Sequence, residues 1–220
     1  MFSGAVLPAP TLWVLLWFMA LAAAKILLRR APRHVGVWAD LGRRTLIPFA
    51  ALLTGAVSPR LMGLTLIDWK TSLSLGIGLM AGFAVLFALV RMGQPAPTRE
   101  LRPGLPLRIV HSGAAEFAWC FLRAAVWESI LLSGQTLTLP AYWATWGAAL
   151  LILPDLLLQR DHTPARLVRV AILIATSVLY IYTRNFWLCW ILHALLALMF
   201  VGVPLTRTPQ TQAAQVRDRV

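Results

Sequence analysis

Acid is the scarcest component of this chain. Eight Asp and Glu stand against twenty Lys and Arg, and charged residues of both signs make up only 13% of the 220. With 59% of residues apolar and a mean hydropathy of +0.74, too little polar surface remains to cover a soluble domain. Cysteine is nearly missing: Cys120 and Cys189 both fall inside apolar runs, where a thiol serves as a small core residue. No Cys/His spacing of a zinc site is present, and neither a metal nor a cofactor is expected. Nucleic-acid motifs are also lacking, and no basic run is interleaved with base-stacking aromatics. The net charge of +12 therefore points to the flanks of membrane helices, not to a nucleic-acid partner. No internal repeat or low-complexity tract occurs, and no pair of broken helices in matching halves marks a transporter.

What the chain has instead is long apolar runs, several of which suffice to cross about 30 Å of hydrocarbon as helices. The expected fold is all-α: a polytopic transmembrane bundle of seven spans at 11–28, 45–58, 72–91, 108–133, 141–159, 167–182 and 186–205. Residues 1–44 supply the first span and a basic loop, residues 45–205 the main bundle, and residues 206–220 a polar tail. The first span lacks the basic residues that precede a signal peptide's apolar core, although Ala-rich MALAAAK imitates a cleavage site. The second span is short and interrupted by Pro48 and Gly55, and the prolines at 95, 97, 103 and 106 argue against helix between 92 and 107. Tyr142, Trp143 and Trp146 open the fifth span as an interfacial aromatic belt would.

Seven spans with the N-terminus outside put Arg29, Arg30, Arg33, Arg43, Arg44, Arg91, Arg99, Arg102, Arg108, Arg160, Arg166, Arg169, Arg207, Arg217 and Arg219 on the inner side. The outer loops then hold only Arg60, Lys70 and Arg184, and this asymmetry predicts N-out, C-in. A multi-pass cell-membrane protein is the expectation, and the compact size fits a bacterial inner membrane.

The polar residues inside the apolar runs carry what function can be read. Ionisable groups within a bilayer cost at least about 2.5–3.5 kcal/mol each and normally face a bundle interior or a wet cavity. The stretch HSGAAEFAWCFLRAAVWESILLSG, 111–134, holds Glu116, Arg123 and Glu128. Glu116 and Arg123 are seven residues apart, on one helix face and about 10.5 Å along the axis. They read either as a charge pair that fixes packing or as part of a working site, whereas Glu128 points away toward the outer end. Asp155, near the inner end of the fifth span, and His193, in WLCWILHALLALMF, reach comparable depth. A lone membrane histidine often serves only as an interhelical hydrogen-bonding group.

Order and spacing add a likeness. A polar helix ending in FLRAAVWE precedes an apolar stretch with one polar residue, and then the hairpin SVLYIYTRNFWLCWILHALLAL. Over about residues 45–200 this resembles the CAAX protease and bacteriocin-processing (CPBP) family of intramembrane proteases. The family carries Glu-Glu-x-x-x-Arg, Phe-x-x-x-His and a last His followed four residues on by Asn or Asp. Here Arg123 and His193 match, but Ala118 and Trp119 stand at the paired glutamates, Leu151 and Asp155 at Phe and His, and Ala197 at Asn or Asp. The resemblance thus implies a catalytically degenerate member that binds a hydrophobic peptide or membrane-protein client. The alternative is an active endopeptidase rebuilt from Glu116, Asp155 and His193, with Arg123 beside it and Glu116 displaced by about 4.5 Å along the helix. A third reading is a small-solute or ion carrier using the same residues. All three expect Glu116, Arg123 and His193 to face one interior.

Overall fold

A computed structural model describes residues 10–27, 32–92, 105–134, 136–158 and 163–200. Among these it is entirely helical: α1 (Pro10–Leu27), α2 (Arg33–Leu53), α3 (Trp69–Met92), α4 (Leu105–Leu132), α5 (Pro140–Leu157), α6 (Thr163–Thr183) and α7 (Phe186–Phe200). Three helical stretches are long and apolar enough to cross a membrane, Pro10–Leu27, Trp69–Leu89 and Ala165–Thr183, while α7 is apolar but shorter. The first nine residues, His162 and the tail from 201 onward lie outside the described residues.

α4 is the axis of the fold. From Ser112 to Trp127 only Phe117 and Val126 escape burial, and the helix packs against α1, α2, α5 and α7. A helix buried on all sides needs small residues where neighbours approach closely. Gly113, Ala114, Ala118, Ala124 and Ala125 on α4, and Ala144 and Ala148 on α5, meet that need. At Gly113 a Cβ would stand 2.8 Å from the Trp190 indole of α7, whose Nε1 donates to the Ile109 carbonyl at 3.1 Å. α3 lies at the edge, packed chiefly against α6 and α7, and leaves most of its apolar side chains exposed.

Two boundaries differ from the sequence expectation. Residues 33–44 are helix, not loop, so α2 is twelve residues longer at its start than the expected second span. The charges there support one another along the helix: Asp40 accepts from Arg43 at 2.8 Å and from Arg44 at 2.8 Å, the i+3 and i+4 spacings of a helix surface. Pro48 stays inside α2, and the break comes at Gly55, with φ +71°. Pro106 likewise lies in the first turn of α4, where the N–H it lacks would have no helical partner.

The connection from 54 to 68 is tied to the ends of three helices. Ser58 N donates to Glu128 Oε1 at 3.2 Å, Tyr180 Oη donates to the Leu61 carbonyl, and Phe186 N donates to the Gly63 carbonyl at 3.0 Å. Gly63 adopts φ +74°, and a Cβ on it would lie 2.5 Å from the Arg184 carbonyl oxygen. The left-handed conformation alone costs an alanine about 1–2 kcal/mol, and the backbone clash adds to that. Gly63→Ala is therefore expected to lower the unfolding midpoint in detergent markedly, whereas Gly55→Ala, whose Cβ meets nothing within 4 Å, pays only the conformational part.

Asp68 begins α3. Its carboxylate accepts from Thr71 Oγ1 at 2.6 Å and from Thr71 N at 3.2 Å, as a helix N-cap does. These bonds, the hydroxyl's first and then the amide's, hold the Asp68 carboxyl below its ordinary range. Because the folded value is depressed, the cap is in place above the ordinary carboxylate range and is lost as pH falls through the folded value. Amide exchange at Lys70 and Thr71 is expected to gain extra protection loss on acidification, and Asp68→Asn should remove that pH dependence.

Candidate functional site

The buried ionisable side chains Arg43, Arg44, Glu116, Arg123, Asp155 and His193 form two separate clusters.

The first is built on α4. The Arg123 side chain runs back along its own helix, so that Nη1 donates to Glu116 Oε1 at 2.7 Å across the seven-residue spacing. The same guanidinium reaches α6, with Nη2 at 3.2 Å from both Thr176 Oγ1 and Ser177 Oγ, and lies 4.9 Å over the Tyr180 ring. Nη1 also lies 3.6 Å from Cys120 Sγ. The second Glu116 oxygen, Oε2, lies 3.1 Å from His193 Nδ1 on α7. Three helices thus meet on one ion pair with no exposure at either member. Burying two opposite charges is tolerable only because each is met by partners, and removing one leaves the other stranded at a cost of about 3–5 kcal/mol. Trp119 covers the imidazole, its ring centroid 4.7 Å from that of His193 and tilted by 30°.

The second cluster joins α5 to α2. Asp155 accepts from Arg43 Nη2 at 3.2 and 3.3 Å and from Arg44 Nη2 at 2.9 Å. Arg43 also stacks 4.5 Å over the Trp17 ring of α1. A rebuilt Glu116–Asp155–His193 centre is therefore not what forms: the Asp155 hydrogen bonds go to the two arginines, and those of Glu116 to Arg123, Cys120 and His193. The reason is electrostatic. Once residues 33–44 are helical, Arg43 and Arg44 stand on one side of α2 within reach of α5, and a buried carboxylate gains more from two guanidiniums than from another acid's neighbourhood.

Glu116, Arg123 and His193 share one interior, as expected. Ala118 and Trp119 are both buried, and neither supplies a carboxylate. Thr176 and Ser177 are not singled out by the sequence reading, although two adjacent hydroxyls inside the apolar run 170–182 are a readable sign. Their charge places Arg43 and Arg44 in a basic loop by sequence, whereas both are buried on α2. Among the described residues no group of three or more His, Cys, Asp or Glu side chains is arranged to hold a metal.

Compared with known proteins, the chain matches no family model, no curated protein and no solved structure. Its chemistry must be read from its own atoms. A carboxylate that activates water needs an oxygen within hydrogen-bond reach of that water. In Glu116 one oxygen is bound by a guanidinium and the other by an imidazole, and the side chain is sealed from the surface.

Proposed function

We propose that this chain is a multi-pass membrane protein with a bundle like that of the CPBP intramembrane proteases, and that it holds a hydrophobic peptide or membrane-protein client without hydrolysing it. The three long apolar helices and the bias of fifteen inner arginines against three outer basic residues support a seven-span, N-out, C-in arrangement in a cell membrane such as a bacterial inner membrane. In this reading α4 carries the Glu116–Arg123 pair inside the bundle, as intramembrane charges must be, and Arg43, Arg44 and Asp155 pair at the inner end of α2 and α5.

The observation that carries the non-hydrolytic part is the full engagement of Glu116: both oxygens are bound and neither is exposed. The ion pair then serves to set the geometry of α4, α6 and α7, with His193 at its edge. A working endopeptidase with Glu116 and His193 is the second reading, favoured by their 3.1 Å approach. Reconstituted full-length protein and a quenched fluorescent transmembrane peptide separate the two. Saturable peptide binding by the wild-type protein with no fluorescence release is the expected result. Peptide cleavage lost in Glu116→Gln would establish the peptidase instead.

A further inference from the structure

We propose that the loops carrying Leu66 and Leu139 enter the acyl boundary of the bilayer leaflet at the end of the bundle where α3, α5 and α7 begin, with the two leucines as anchors. The inference goes beyond the client-holding reading above and rests only on its membrane part.

The backbone carries the first sign. Among the described residues three that are not glycine have positive φ: Leu66 at 56°, Leu139 at 60° and Arg184 at 46°. A bulky residue in this left-handed region is strained, and such strain persists where something offsets it. Arg184 has its offset within the chain, since its guanidinium lies 4.7 Å over the Trp127 ring. Leu66 and Leu139 stand out from the chain instead, 80% and 72% exposed. The Leu139 carbonyl accepts from Tyr142 N at 3.0 Å as α5 begins, but a glycine would accept the same bond without the strain. Pro140 adds to the conflict, because the residue before a proline favours extended backbone. What favours a leucine at each turn is therefore an apolar partner outside the chain.

Position identifies that partner as lipid. The bonds from Ser58 to Glu128, Tyr180 to Leu61 and Phe186 to Gly63 tie the loop of Leu66 to the ends of α4, α6 and α7. Leu139 lies between the end of α4 and the start of α5, so both leucines stand at one end of the bundle. In the proposed N-out arrangement this end meets the outer leaflet. Trp69, three residues after Leu66, is exposed and opens the apolar stretch Trp69–Leu89, so the surface at Leu66 runs on into one that faces lipid. Tyr142 and Trp143, just after Leu139, are exposed as well. Tryptophan and tyrosine at this level mark the headgroup layer, and leucines beside them reach the acyl boundary beneath it. The nearby charges fit that depth. Asp68 is satisfied by Thr71, and exposed Lys70 can lay its stem along apolar surface with its ammonium at the phosphates.

The test places spin labels on single added cysteines in the full-length protein, reconstituted in phosphatidylcholine vesicles. Power saturation is read with oxygen, which concentrates in hydrocarbon, and with a water-soluble nickel chelate. Cys120 and Cys189 are fully buried and should take no label, which the unsubstituted protein checks. Ile77→Cys, on the exposed face of α3, reports on the membrane reading, and Arg60→Cys, on the other limb of the 54–68 connection, gives the aqueous reference. The oxygen effect should exceed the nickel effect several-fold at Ile77→Cys, exceed it by a smaller factor at Leu66→Cys and Leu139→Cys, and fall below it at Arg60→Cys. Nickel prevailing at positions 66 and 139, with oxygen prevailing at 77, would overturn the proposal and leave the membrane reading standing. Labels at 66 and 139 shielded from both reagents would show a protein surface in place of lipid and would overturn it as well. Nickel prevailing at 77 would overturn the membrane reading and this inference with it.

Discussion

Arg123→Ala is expected to destabilise the folded protein by about 3–5 kcal/mol, because it leaves the fully buried Glu116 carboxylate without its guanidinium. The individual hydroxyl contacts are worth far less. An interhelical hydrogen bond in a membrane protein averages about 0.6 kcal/mol, so Thr176→Val, which removes one of the two Arg123 Nη2 contacts, should be mild. The decisive comparison is the double replacement Glu116→Gln with Arg123→Met. Removing both charges while keeping their volume should recover most of the loss, since replacing a whole buried pair by apolar or neutral groups is often close to neutral. Equilibrium unfolding in mixed detergent micelles gives the three free energies. A double variant as unstable as Arg123→Ala would mean that the guanidinium acts through packing on Tyr180 and Cys120, and not through Glu116.

Asp155→Ala should be comparably severe and Asp40→Ala nearly silent, although both aspartates bind the same two arginines. Asp155 is 1% exposed and meets Arg43 and Arg44 between α5 and α2. Its loss leaves two buried guanidiniums with only the part-exposed Asp40 as counter-charge, at a cost of about 3–5 kcal/mol. The Asp40 side chain is 40% exposed and bridges neighbours within one helix. Partly exposed pairs of this kind contribute about 0–1 kcal/mol. Arg43 additionally rests on Trp17, so Trp17→Leu should weaken the junction of α1 with α2 and α5 without removing any charge. Equal effects of the two aspartate replacements would show that the junction is solvated and that burial does not decide its strength.

These two clusters also show which parts of the site the sequence could disclose. The Glu116–Arg123 pair follows from spacing alone, because seven residues return a helix to the same face and the long side chains close the remaining distance. His193 was found as the one polar residue in an apolar run, and the cost of burying it unpartnered implied a partner. The partner of Asp155 was hidden. It depends on residues 33–44 being helix, and a string of arginines after an apolar run reads first as a charged membrane flank. Pro48 reinforced that reading, although α2 carries the proline within its length. Which helices face one another is not contained in periodicity, so the sequence could bring Asp155 and Glu116 to similar depth but could not assign them to different neighbours. The small residues that let α4 sit at the centre, Gly113 against Trp190 above all, are meaningful only once the facing helix is known.

The Glu116–His193 approach is the contact that closes the shared interior between α4 and α7. Solid-state NMR on the protein in lipid bilayers, with 13C at the Glu116 carboxyl and 15N in the His193 ring, measures it directly. An Oε2–Nδ1 separation of 3.1 Å places the carboxyl carbon about 4 Å from Nδ1 for hydrogen-bond geometry, and a strong dipolar coupling to the protonated ring nitrogen is the expected result. A carboxyl carbon beyond about twice that hydrogen-bonded distance, or strong coupling to Nε2 in place of Nδ1, would contradict it.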